Sequence, residues 1–233
     1  MVILIMKVKL NKSERDTIIL HLVFVGVCLL VILILTNLPI GIKLLILVTI
    51  YNLLVVVFGA LRNYQEWINI WLFSFILSVF QVFPDWILSA EFDILIFPED
   101  GLFKIGTVSG YMLGLWAIPL FIILYVGQRL QERYSKKSSY LIVGVLALLI
   151  FGFAENTMWM LQSWYAQNVT MLGHLAVYII IPEIILGLSA FYAYDTIKEN
   201  HHWFKIPMAF IIMLLYIGST VFFYFLIEKL IIP

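Results

Sequence analysis

The sequence predicts an all-α polytopic integral membrane protein, a single domain of seven transmembrane helices over residues 1–233, and three observations carry that expectation. Hydrophobic residues make up 64% of the chain and charged ones 12%, with a mean hydropathy of +1.06, whereas charged residues alone form about a quarter of a soluble domain. Apolar runs recur near 18–38, 41–61, 68–90, 105–127, 139–161, 171–194 and 206–228, each long enough to cross the hydrocarbon as a helix. The bases segregate: Lys7, Lys9, Lys12, Arg15, Arg62, Arg129, Arg133, Lys136, Lys137, Lys198 and Lys205 fall on one side, and only Lys43, Lys104 and Lys229 on the other. By the positive-inside rule the N-terminus is then cytoplasmic and the C-terminus outside, in the plasma (cytoplasmic) membrane.

The first run stays apolar from Ile18 to Leu35, too long for a cleaved signal core and with no small-residue cleavage site after it, so it reads as a retained helix. Its Cys28 is the one cysteine, which excludes an internal disulfide and a cysteine metal cluster. The second run carries a sparse polar stripe of Thr49, Asn52 and Gly59. In the third, Trp71, Ser74, Ser78, Gln81 and Asp85 recur every three or four residues and so face protein rather than lipid. Pro84 is an earlier candidate stop for that helix.

The stretch from Gln81 to Gly101 holds five of the fourteen acids (Asp85, Glu91, Asp93, Glu99, Asp100) and no Lys or Arg. Its part from 91 to 104 is an acidic outer connector, expected to lid or line a polar cavity. The fourth run brings Gly106, Gly110 and Gly114 at a spacing that lets helices approach closely, with Thr107, Ser109 and Tyr111 beside them. In the fifth, Gly152, Glu155, Trp159 and Gln162 share a helical face, with Asn156 next to them. The sixth carries His174, Tyr178, Pro182 and Glu183; Pro182 is expected to strip the Tyr178 carbonyl of its helical partner and kink the helix. His174 and Glu183 lie half a helical turn out of phase, and share a cavity only if that kink rotates one of them. In the seventh, Tyr216, Thr220 and Tyr224 step by four.

The acids sort by side. Glu14, Asp16, Glu66, Glu132, Asp195 and Glu199 lie among the cytoplasmic bases as solvated partners, while Glu228 joins the outer set. Glu155 and Glu183 sit inside apolar runs, where an unpaired charge costs several kcal/mol. The expected site is therefore an outer-half cavity: Glu155 and Glu183 as an acid/base pair, with Asp85, Glu99 and Asp100 orienting at its mouth. Trp159, Trp116 and Tyr178 form its walls, and Asn156, His174, Gln81, Tyr111, Asn52 and Tyr216 line it. A neutral carboxylic acid protonates an alkene or epoxide, a carboxylate takes a proton back, and aromatic faces shelter the cation between them.

Several classes are excluded. There is no phosphate loop, nucleophile elbow, His-Glu-x-x-His or Cys-x-x-Cys, no dense basic patch for nucleic acid, and no mid-helix lysine in the last run for a retinal. His201-His202-Trp203 reads as an interfacial turn without a third metal ligand. Arg129 to Lys137 is a basic loop suited to anionic headgroups, and Asn168-Val169-Thr170 matches a glycosylation acceptor. No cofactor or metal is expected; the expected partner is a membrane lipid or isoprenoid.

Phe97-Pro98-Glu99-Asp100-Gly101, the run Gly110-Tyr111 to Gly114-Leu115-Trp116-Ala117-Ile118-Pro119, and Pro182-Glu183 resemble the proline-and-acid elements of small polytopic carotenoid and terpenoid enzymes. Those families include the heterodimeric lycopene cyclases and the carotenoid hydratases. The likeness covers about a quarter of the chain and departs from the cyclase pattern, which places one residue between the proline and its acid pair. It implies acid–base cyclisation, hydration or isomerisation of an isoprenoid. Two other classes fit the same residues: a proton- or cation-coupled transporter, since intramembrane acids beside a broken helix suit coupling, and a non-catalytic lipid-binding or sensory protein.

Overall fold

The computed structural model describes residues 10–232; Lys7 and Lys9 lie outside the described residues. Among the described residues, seven helical spans are long and apolar enough to cross a membrane, at Lys12–Ile34, Ile40–Leu61, Gln65–Ala90, Met112–Gln131, Lys136–Leu161, Val177–Ile197 and His202–Ile231, the pattern of a multi-pass membrane protein.

Helix α1 (Lys12–Ile34) starts at a capping box, with Asn11 accepting from the Glu14 amide and Glu14 accepting from the Asn11 amide, which satisfies two orphan donors of the first turn. Helix α2 (Ile40–Leu61) begins after Pro39, and α3 (Gln65–Ala90) runs through Pro84 without stopping. After a connector containing strands β1 (Leu95–Ile96), β2 (Lys104–Ile105) and β3 (Val108–Ser109), the short α4 (Met112–Leu115) leads into α5 (Ala117–Gln131). Helix α6 (Lys136–Thr157), capped by Ser135, ends in a 3-10 turn at Met158–Leu161. Strands β4 (Tyr165–Ala166), β5 (Met171–Leu172) and β6 (Leu175–Ala176) precede α7 (Ile180–Ile197) and α8 (Lys205–Phe225).

The described chain is mostly helical, as expected, with short strands added in the connectors. Strand β1 pairs antiparallel with β4, β2 with β3, and β5 with β6. The last two are hairpins with two-residue turns at Gly106-Thr107 and Gly173-His174, whose glycines take φ of +63° and +68°. Glycine first, with positive φ, is the turn that matches strand twist. These hairpins shorten two expected spans: the fourth begins at 112 rather than 105, and the sixth at 177 rather than 171. The glycine series is broken with them, and only Gly114 makes a helix contact of the expected kind: a Cβ there would lie 2.8 Å from Val48 and 3.2 Å from Asn52.

The connectors that carry the strands gather at one end of the bundle, with Lys43, Lys104 and Lys229, and the other bases of the described residues at the opposite end. At the base-rich end Arg129 pairs with Glu66 and Glu132, Arg133 with Glu14, Arg62 with Asp16 and Lys198 with Asp195. Glu14 and Asp16 are buried beneath their arginines rather than solvated. All the polar ties from α1 to other helices fall in its first ten residues: Ser13 to Tyr125 and Trp67, Glu14 to Arg133, Asp16 to Tyr64 and Arg62, and His21 to Tyr51. Helix α3 packs on α5 and α8, and α7 packs on α5 and α8, so these four close a ring. Helix α6 covers α5 and α7 from outside, and α1 lies against α2.

Candidate functional site

Near the connector end, three helices each contribute one carboxyl. Asp85 from α3 is buried and accepts a hydrogen bond from Trp116 Nε1 at 3.0 Å. Glu155 from α6 is half-buried and accepts from Trp164 Nε1 at 2.9 Å. Glu183 from α7 is 1% exposed, and its Oε2 has no partner. An ionised carboxylate offers about four acceptor positions, so one indole leaves Asp85 and Glu155 under-served and Glu183 more so. The three lie within electrostatic reach of one another and of the Tyr178 and Tyr216 phenols. Among the described residues, no three His, Cys, Asp or Glu side chains gather closely enough to hold a metal ion.

Two spaces meet at Glu155. The first is a cavity of about 20 Å³ bordered by Asp85, Glu155, Tyr178, Tyr216, Trp116 and Trp164 and closed by Leu88, Leu95 and Phe97, which is room for a single water. The second is an open groove of about 390 Å³ between α1, the α4–α5 span and α6, lined by Phe24, Ile118, Pro119, Ile122, Phe153 and Met158. Its lining is apolar apart from Glu155, Glu183, Thr157 and the indoles of Trp116 and Trp164. The groove's size falls within the ~300–1,000 Å³ typical of small-molecule sites.

Proline 182 does not kink a helix. It is the third residue of α7, in the first turn, where a missing N–H removes no intrahelical bond. Glu183 accordingly stands at a helix N-terminus, the end whose dipole favours negative charge. His174 occupies the β5–β6 turn, exposed and stacked on Trp159 with ring centroids 3.9 Å apart; it borders a different, outward-facing pocket with Trp159, Gln162 and Tyr165. The expected face of Gly152, Glu155, Trp159 and Gln162 is broken because α6 ends at Thr157 and Gln162 turns left-handed, with φ of 53°.

The structure brings Asp85, Glu155, Tyr178, Trp116 and Tyr216 around the cavity, with Glu183 beside Glu155 in the groove. It places the other expected site residues elsewhere. Glu99 is exposed. Asp100 is a tether: its Oδ1 accepts from the Leu102 amide at 3.0 Å, its Oδ2 sits 3.7 Å from Lys104 Nζ, and its carbonyl receives the Gly41 amide at 2.9 Å. Asn156 accepts the His174 amide, Asn52 bridges Trp71 to the Gly114 carbonyl, and Tyr111 bonds Ser163. Gln81 is fully buried and lines neither space. The acidic connector does close the cavity, but through Leu95 and Phe97; Glu91, Asp93 and Glu99 face outward. Trp164 was invisible in the sequence, because it reaches Glu155 across a left-handed turn rather than along a helix. A half-buried acid's need for a donor was the one available signal.

No curated protein and no solved structure matches the chain. A family model described as Domain of unknown function (DUF6989) matches residues 82–227, more than half of the chain and a stretch that includes all three carboxyls and both indole donors, so the chain belongs to the DUF6989 family.

Proposed function

We propose that the protein is an integral membrane enzyme that takes an isoprenoid or similar lipid from the bilayer and transforms it by acid–base chemistry at Glu155 and Glu183. One observation carries this reading: carboxyls from two different helices line one otherwise apolar groove that opens between α1 and α6. One carboxyl, in its neutral form, gives a proton to an alkene or epoxide; the other, as carboxylate, removes a proton from the resulting cation, so that cyclisation or isomerisation leaves the two with their protonation states exchanged, and the proton returns from the second to the first before the next turnover. The Trp116 and Trp164 rings line the same groove, and an aromatic face turned to the cation would stabilise it. The substrate class in this proposal follows from the apolar lining of the groove. In the orientation that the lysines and arginines favour, with the N-terminus cytoplasmic, the site lies in the outer half of a plasma membrane.

The test is to incubate purified protein with isoprenoid extracts and follow products by mass spectrometry. Glu155→Gln and Glu183→Gln are each expected to lower turnover by about 10²–10⁴-fold while leaving thermal stability measurable and the bound lipid in place. Asp85 and Glu155 already hold indole donors, an arrangement that also suits lipid binding without chemistry. Lipid that co-purifies with both variants and the wild type, with no conversion in any, would replace the enzyme reading with that one.

A further inference from the structure

Four polar residues from four separate elements border the closed cavity of about 20 Å³: Asp85 of α3, Glu155 of α6, Tyr178 of the 3-10 turn at Val177–Ile179, and Tyr216 of α8. Packing fixes both phenol rings. Tyr178 meets Tyr224 edge-on with centroids 5.7 Å apart, and Tyr216 meets Trp116 edge-on at 6.0 Å. Tyr178 and Tyr216 are 3% and 2% exposed, and among the described residues neither hydroxyl has a hydrogen-bond partner in the protein. Each carboxyl commits one oxygen to an indole, Asp85 Oδ2 to Trp116 and Glu155 Oε1 to Trp164, and keeps the other for a further donor.

A buried hydroxyl without a partner costs the desolvation of its group, so two of them on one small space point to an occupant. Volume and hydrogen-bonding chemistry select it. A cavity of this size has room for a single water, which needs two to four polar partners. Here two phenol O–H groups donate and two carboxyl oxygens accept. Water, with two lone pairs to fill and two hydrogens to give, matches that set. A cation offers the phenol hydrogens no acceptor.

We infer that Asp85, Glu155, Tyr178 and Tyr216 bind one ordered water, which accepts from the two phenols and donates to the two carboxyls. The water joins Glu155, which lines the groove, to Asp85, which does not. Glu155 then exchanges its proton through the cavity rather than the groove: the water takes that proton and gives one of its own to Asp85. This use of the water rests on the function proposed above; the water site does not.

The test is the thermal unfolding of the full-length protein in lipid nanodiscs, a readout independent of any turnover. Tyr178→Phe and Tyr216→Phe keep the rings and remove the hydroxyls. Each is expected to lower the Tm by about 2–4 °C, equally in sodium and choline chloride. The double variant is expected to fall by less than the sum, because both hydroxyls hold the same water. An unchanged or raised Tm in either variant means that its hydroxyl was an orphan in a dry cavity, and overturns the inference. Falls that add in full mean separate partners and overturn it too. So does a wild-type Tm that is higher in sodium than in choline chloride and loses that difference in the Phe variants, which marks a bound cation. Should one variant yield no folded protein, the other decides by the sign of its own shift.

Discussion

A buried phenol outside the helical spans shows how single residues hold the site. Tyr111 OH bonds the Ser163 carbonyl at 3.1 Å and hydroxyl at 2.7 Å, which ties the start of the α4–α5 span to the segment that delivers Trp164 to Glu155. Burial pushes the Tyr111 phenol from 10 up to about 12, against the pull of Ser163 and Ser109. A raised pKa in the folded state means that its stabilisation is fully present below pH 10 and is lost as the pH climbs to about 12. Tyr111→Phe is therefore expected to cost about 1 kcal/mol near neutral pH and to flatten that alkaline loss, as denaturant unfolding across pH would show. At this scale the sequence exposed which acids lie in apolar surroundings, since Glu155 and Glu183 are the two acids inside long apolar runs. It hid their partners, because Trp116 and Trp164 reach Asp85 and Glu155 from positions 31 and 9 residues away, and no periodicity encodes a contact between segments.

Among the elements, proline and glycine separate what one-dimensional pattern can and cannot say. Alanine in place of the buried Pro182 is expected to lower stability by about 1 kcal/mol through the ring packing it removes, with no gain from a new helical hydrogen bond, because the first turn of α7 needs no N–H there; a rise in stability would restore the kinked helix of the sequence reading. Gly187 is the opposite case. A Cβ on it would lie 2.4 Å from Ala147 Cβ, so Gly187→Ala must push α6 from α7 and is expected to cost about 1–3 kcal/mol by thermal unfolding. The helix cores were legible from their hydropathy, and the polar faces of α3 and α8 from their steps of three and four. The hairpins at Gly106 and Gly173 were not, since short apolar stretches read equally as helix and only the positive φ of one glycine in each turns the chain back.

For the whole molecule, the seven spans place the described ends of the chain at opposite ends of the bundle, and the bases define which end faces the cytoplasm in our proposal. A reporter active only in the cytoplasm is expected to work when fused to the N-terminus and to fail at the C-terminus; the reverse result would invert the assignment and put the carboxyls in the inner leaflet. Charge asymmetry was legible because it needs only counting along the chain. The order in which helices surround one another was not, since apolar residues carry no label for their neighbour. That order leaves α1, among the described residues, with its polar ties near its N-terminal end. Its polar ties to the other helices end at His21, Phe24 meets the groove, and a Cβ on Gly26 would touch nothing within 4 Å. Beyond Phe24 the helix is held on the core by the apolar contacts of Val27, Cys28, Val31 and Ile32, so one wall of the groove rests on side-chain packing where the rest of the bundle adds polar bonds.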